Sequence, residues 1–252
     1  MQGPISPDAE VVAISTLLLT SPRYHLRIRG STAHPLDREG YSDAAECTRT
    51  WPSARTRVSR LLARLFDFLS AADPPVPSDA IFVLAGRPER KRYGLELFER
   101  GLAPVLILSV ARFEWRRFPE LGLPDDGGLT RLVEETYYRR RHFFVTVRAE
   151  GACARFVPTQ FLGTRREALG LAEEVLAKGY RSILVVSTSV HLRRARLALR
   201  RALGELPVRV TYTAVPESDS GIRRDGWSRS AAGWSYVTGE LLKLALYRIL
   251  PR

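Results

Sequence analysis

Three short stretches of the chain are apolar at nearly every position: Ala80-Ile-Phe-Val-Leu-Ala85 ahead of Gly86, Pro104-Val-Leu-Ile-Leu-Ser109, and Ser182-Ile-Leu-Val-Val186. Continuous apolarity over so few residues predicts strands buried on both faces of a sheet, where a half-buried strand would alternate. Helical spacing fills the intervals. A basic turn from Arg87 to Arg92 leads into a helix closed by Gly101, and Ala168, Leu171, Ala172, Val175 and Leu176 mark one face of a helix that Gly179 ends. A further helix starts near His191, Val208 to Tyr212 reads as another strand, and Tyr236 to Leu250 as a closing amphipathic helix. Strand-helix-strand units make neighbouring strands parallel. The expected fold is therefore α/β: a Rossmann-like open sheet of mainly parallel strands with helices on both faces, the three apolar runs lying side by side.

The remaining segments fit around that unit. Residues 1–75 form an amino-terminal extension, and within it Val58, Leu61, Leu62, Leu65, Phe66 and Leu69 recur at helical spacing opposite Arg57, Arg60 and Arg64. Such a basic amphipathic helix either packs on its own domain, the commoner use, or lies on an anionic membrane surface. The run Val11 to Leu19 is too short for periodicity to distinguish strand from helix. The α/β domain spans 76–252, with an insertion at about 113–160 over or beside the sheet. That insertion holds a Trp-, Arg- and Pro-rich stretch, a helix through Leu129 to Arg140, and an apolar run from Phe143 to Val147.

Composition narrows the partners. A length of 252 residues with 45% hydrophobic content supports one substantial core. Lys and Arg number 39 against 27 Asp and Glu, a net +12 carried almost wholly by arginine. The surplus favours anionic partners: phosphorylated ligands, acidic lipid headgroups or nucleic acid. Arginine suits two-point contacts to phosphate, although a GC-rich genome raises arginine counts with no functional meaning. Nucleic acid ranks last, because no recognised binding module is present. Cys47 and Cys153 are far apart and lack metal-ligand spacing, so neither a disulfide framework nor a metal site is indicated. The apolar stretch Val11 to Thr20 is about half the length a bilayer requires, and no basic segment precedes it, so the chain reads as cytoplasmic.

In an open α/β sheet, ligands bind beyond the carboxyl ends of the strands. Three segments qualify: Gly86 to Arg92, Ser109 to Glu114, and Ser187 to Arg194. The last is the strongest, because the hydroxyls of Ser187, Thr188 and Ser189 run into a helix whose first turn supplies His191 and Arg194. Its unpaired N–H groups can receive an anion. One turn separates His191 from Arg194, so both can clamp a single oxyanion. The competing reading is a histidine hydrogen-bonded within its helix and a solvated arginine. Gly86 allows close backbone approach with Arg90 reaching in from the next turn, yet neither GxGxxG nor a P-loop is present. Thr164 with Glu167 forms a T-x-x-E capping box, which by itself needs no ligand. Ser109 has no base partner visible in sequence and no G-x-S-x-G elbow, which argues against a serine hydrolase.

These segments, in this order, resemble the YdcF/SanA/ElyC-like family of bacterial proteins, over roughly residues 76–112 and 156–215. The residues that carry the resemblance are Leu84-Ala-Gly86 with Arg90 and Gly94, then Ser109-Val110, then Thr164-Arg-Arg-Glu-Ala168, and most specifically Val186-Ser-Thr-Ser-Val-His191-Leu-Arg-Arg194-Ala195. Three positions depart from the family pattern: Val110 stands for a glycine, Arg166 for a glutamate and Glu167 for an asparagine, which implies an altered site or a different ligand. The resemblance implies ligand contacts from Gly86, Arg90, Ser109, Thr164, Ser187, Thr188 and Arg194, with His191 as the catalytic candidate. It also implies an association with cell-envelope, peptidoglycan or lipid-carrier metabolism, and S-adenosylmethionine as a candidate cofactor.

Two functions then compete. One is an enzyme on a phosphorylated or nucleotide-like substrate, with Arg90 and Arg194 neutralising charge and His191 as general acid or base. The other is a non-catalytic binding or sensor module using the same pocket, favoured by the lack of an evident nucleophile, carboxylate pair or metal cluster. Peripheral contact with an anionic membrane fits either.

Overall fold

The computed structural model describes residues 54–115, 120–121, 128–158 and 163–249; the run Val11 to Leu19 and Cys47 lie outside the described residues. The strands are β1 (Ala80–Val83), β2 (Leu106–Ala111), β3 (His142–Arg148), β4 (Gly151–Phe156), β5 (Ser182–Ser187) and β6 (Arg209–Ala214). They form a sheet in the order β4-β3-β2-β1-β5-β6. The three apolar runs are its centre, as their composition requires: β1 pairs in parallel with β2 on one side and β5 on the other, and every residue of β1 and β5 is buried. β6 adds a fourth parallel strand beside β5.

The helices are α1 (Ala54–Leu69), α2 (Pro88–Glu99), α3 (Gly128–Glu135), α4 (Gly163–Lys178), α5 (Leu192–Leu203) and α6 (Ala231–Ile249). One face of the sheet, through Phe82, Ile107 and Val185, packs on α4 and α5. The other face, through Ile81, Val83 and Leu108, packs on α2. Gly94 makes that second contact close, since a Cβ there would lie 2.3 Å from Cγ2 of Val83. A third cluster joins Phe66 and Leu69 of α1 to Val190, Trp227, Val237 and Leu244. The basic amphipathic helix of the amino-terminal region thus packs on the α/β body.

Several local expectations change. The basic segment Arg87 to Arg92 is not a turn: Pro88 occupies a first-turn position, where its missing N–H costs nothing, and Arg90 and Lys91 are buried in the helix it starts. The helix expected from Leu129 to Arg140 ends at Glu135 and resumes as a 3-10 turn at Tyr138–Arg140. The middle segment extends the sheet, with β3 antiparallel to β2 and β4 antiparallel to β3. No helix among the described residues is long and apolar enough to cross a membrane.

Candidate functional site

The chain leaves β1 toward α2 on one face and leaves β5 toward α5 on the other, so the two exits diverge and open a crevice at their carboxyl ends. On the β1 side, Ala85 is held through both of its backbone polar groups. Its N–H donates to Oε1 of Glu167 at 2.7 Å, and its carbonyl accepts a hydrogen bond from Nη1 of Arg90. Arg90 folds back over Gly86, whose φ of 137° lies in the region that favours glycine. A Cβ at Gly86 would meet Nη1 of Arg90 at 2.8 Å. The same guanidinium crosses the crevice, with Nη2 donating to Oγ1 of Thr188 at 2.8 Å and to the Tyr236 hydroxyl at 3.4 Å. Thr188 and Tyr236 are themselves 3.1 Å apart, and Arg87 lies over the Tyr236 ring, 4.9 Å from its centre.

Arg90 is 4% exposed, and no carboxylate among the described residues lies within ion-pair distance of it. Its Nε is buried without a hydrogen-bond partner. The two neighbouring buried cations differ in this respect: Lys91 pairs with Glu114, which also accepts from the Ala111 N–H at 2.8 Å, and Arg194 pairs with Glu240. Burial lowers the Lys91 pKa, with the charge of Glu114 opposing the shift.

On the β5 side, Ser187 Oγ lies 2.7 Å from Nδ1 of His191 and Thr164 Oγ1 lies 3.4 Å from Nε2. Both ring nitrogens are therefore engaged by hydroxyls, in a residue that is 3% exposed. Burial, followed by the charges of Arg194, Arg90 and Lys243, holds its pKa well below the usual imidazole value, so the ring is neutral near pH 7. Arg194 does stand one turn from His191, and Nη1 donates to Thr164 at 2.7 Å. Its other nitrogens, however, fork onto Glu240, Nε to Oε2 at 2.8 Å and Nη2 to Oε1 at 3.1 Å. Burial works against both charges. The hydrogen bond and the mutual attraction outweigh it, so Arg194 is raised and Glu240 lowered relative to their ordinary pKa values.

Thr164 and Glu167 do not form the expected capping box. The helix already begins at Gly163, so Thr164 is inside it, and the two side chains serve Arg194 and Ala85 instead. Gly86, Arg90, Thr188, Thr164, Ser187, His191 and Arg194 form two adjoining networks around the crevice. Ser109 is engaged elsewhere on the same strand ends, 2.8 Å from Nε2 of His142. Burial lowers the pKa of His142, against the charges of Glu167 and Glu114. His142, Glu240 and Tyr236 are absent from the site residues read in the sequence, because each joins the site from a distant element. The available signals were a lone histidine opening an apolar strand and the only acid of the closing helix. A separate cavity of about 260 Å³ between α5 and β6, lined by Asp73, Arg196, Arg200 and Tyr212 among others, includes none of these residues.

Among the described residues, no group of three or more His, Cys, Asp or Glu is placed to hold a metal ion. Comparison with known proteins adds no relative: no family model matches the chain, and no curated protein or solved structure shows significant similarity to it.

Proposed function

We propose that this protein binds an anionic small molecule, phosphorylated or nucleotide-like, at the carboxyl ends of β1 and β5, with Arg90 as its principal charge. The observation that carries this reading is the buried guanidinium of Arg90, which has no carboxylate partner and a Nε–H without an acceptor. The Ala85 carbonyl, Thr188 and Tyr236 accept from this guanidinium but do not neutralise it, and a buried charge without a countercharge is costly; an anionic ligand offsets that cost. Gly86, Arg87 and Tyr236 are partly exposed around it and give a ligand its approach. Arg194 has a different part: paired with Glu240, it positions Thr164 and through it His191.

A specific observation favours the non-catalytic form of this function, a binding or sensor module. His191 is 3% exposed and neutral, and its two nitrogens are turned onto Ser187 and Thr164 inside the protein, so neither faces the crevice opening where a substrate would arrive. The resemblance to the YdcF/SanA/ElyC-like family points to envelope or lipid-carrier metabolites, or to S-adenosylmethionine, as the ligands to try first.

Mass spectrometry of small molecules that co-purify with the protein, followed by calorimetric titration of inorganic phosphate and of any compound found, tests the reading. Arg90→Met is expected to weaken binding roughly ten- to a hundredfold, the value of a charge-assisted contact. Arg200→Ala, an exposed position on α5, is expected to leave it unchanged. Equal affinity in wild type and Arg90→Met would refute the assignment.

A further inference from the structure

Two segments far apart in sequence emerge side by side at the carboxyl edge of the sheet. Ala111 pairs with His142, so the chain leaving β2 as Arg112-Phe113 adjoins the chain entering β3 through Tyr137 to Arg141. This edge exposes three aromatic rings to water: Phe113 at 64%, Tyr137 at 67% and Tyr138 at 53%. Around them Arg112, Arg139 and Arg140 are exposed, and none forms an ion pair with another described residue. Arg141 is folded back instead, with Nε donating to the Thr136 carbonyl at 2.9 Å and its guanidinium 5.8 Å from the centre of the Tyr138 ring, which fixes the turn. Among the described residues, the acids adjoining these two segments in sequence are Glu134 and Glu135 at the end of α3, also exposed, and Glu114, which is turned inward onto Lys91.

Aromatic rings left in water together lose the stabilisation that burial gives each of them, and a clustered exposed set marks a contact surface. Rings flanked by unpaired guanidinium groups match the headgroup layer of an anionic bilayer: the rings sit at headgroup depth while arginines meet lipid phosphates. A single-stranded nucleic acid would also accept rings and arginines, but it needs a groove that follows its backbone. Here the rings stand on a strand exit and a short turn, and each is more than half exposed rather than set in a groove. We infer that this edge docks on an anionic lipid surface. The docking does not depend on the anion site proposed above, and it uses a different surface from the basic face of α1.

Flotation of the full chain with lipid vesicles tests the inference. Binding is expected to vesicles of mixed phosphatidylglycerol and phosphatidylcholine, to be absent with phosphatidylcholine alone, and to weaken as salt is raised. The pair Arg139→Glu with Arg140→Glu is expected to lower partitioning at least about tenfold. Tyr137→Ser with Tyr138→Ser lowers it in the same direction. Both pairs are expected to keep the wild-type thermal midpoint and phosphate affinity, while Arg60→Glu with Arg64→Glu on α1 leaves partitioning unchanged. The inference is overturned by wild-type partitioning in the first two pairs, by loss confined to the α1 pair, or by binding to a single-stranded oligonucleotide with no binding to vesicles.

Discussion

Glu240 holds Arg194 by a two-point ion pair across the α5–α6 contact, with contacts of 2.8 and 3.1 Å and both side chains almost fully buried. The pair fixes which way Arg194 faces, and so places Thr164 and His191. Removing Glu240 leaves the Arg194 charge buried without a countercharge. Glu240→Gln is therefore expected to destabilise the protein by about 3 to 5 kcal/mol in urea unfolding at pH 7.

The same pair gives a pH dependence in the acid range. The folded pKa of Glu240 is lowered, so the unfolded chain binds a proton there more readily than the folded one. Its contribution is complete above the ordinary carboxylate pKa, about 4.3, and is lost as pH falls through the lower folded value. Unfolding measured between pH 6 and pH 3 should show this decline in wild type and a shallower one in Glu240→Gln; parallel curves would contradict it.

His191 acts in a higher pH window. Its folded pKa is well below that of the unfolded chain, so acidification protonates the unfolded state first and lowers stability from about pH 6.5 downward. The slope per histidine is limited to about 1.4 kcal/mol per pH unit. His142 shifts in the same direction and adds to the effect. His191→Asn should reduce the slope between pH 7 and pH 5, and an unchanged slope would mean that His191 is protonated in the folded protein.

Gly86 and Arg90 are coupled sterically. Gly86→Ala forces a side chain into a strained backbone region, at a cost of about 1 to 3 kcal/mol, and presses on the guanidinium. In a double-mutant cycle with Arg90→Ala, part of that cost should disappear, because the clash has no partner left. Strict additivity of the two changes in urea unfolding would show that the arginine does not lie over the glycine.

Gly94 tests the packing of α2 on β1. A methyl group there would stand 2.3 Å from Val83, so Gly94→Ala is expected to cost about 1 to 3 kcal/mol despite the better helix propensity of alanine. Val83→Ala in the same chain should recover part of the loss.

The central strands could be read directly because burial on both faces leaves no room for polar residues, and Ile81 to Val83 and Ile183 to Val186 show that composition plainly. β4 could not be read. Its residues Gly-Ala-Cys-Ala-Arg-Phe are small and polar by turns and only partly buried, as an edge strand allows, so neither alternation nor apolarity marks it. That His191, Arg194, Thr188 and Arg90 come together could be read because strand ends and first helical turns restrict where such residues can stand. Their partners could not. That Arg194 meets Glu240, and that Arg90 meets Tyr236, depends on how α6 lies across the other helices, which no local spacing encodes.

The double hold on Ala85 has a mechanical consequence. Glu167 from α4 grips its N–H, and Arg90 from α2 grips its carbonyl, so helices on opposite faces of the sheet are bolted to the two peptide units that meet at its Cα. Neither layer can slide without turning the φ and ψ of Ala85 or lengthening one of the two bonds. A ligand that draws Arg90 toward itself pulls on this bolt, and the tug passes to the first turn of α4, where Thr164 holds Arg194. On the function proposed above, occupancy at one strand end would reach the far side of the sheet by this route, with the slowing or quickening of amide exchange at Ala85 as its gauge.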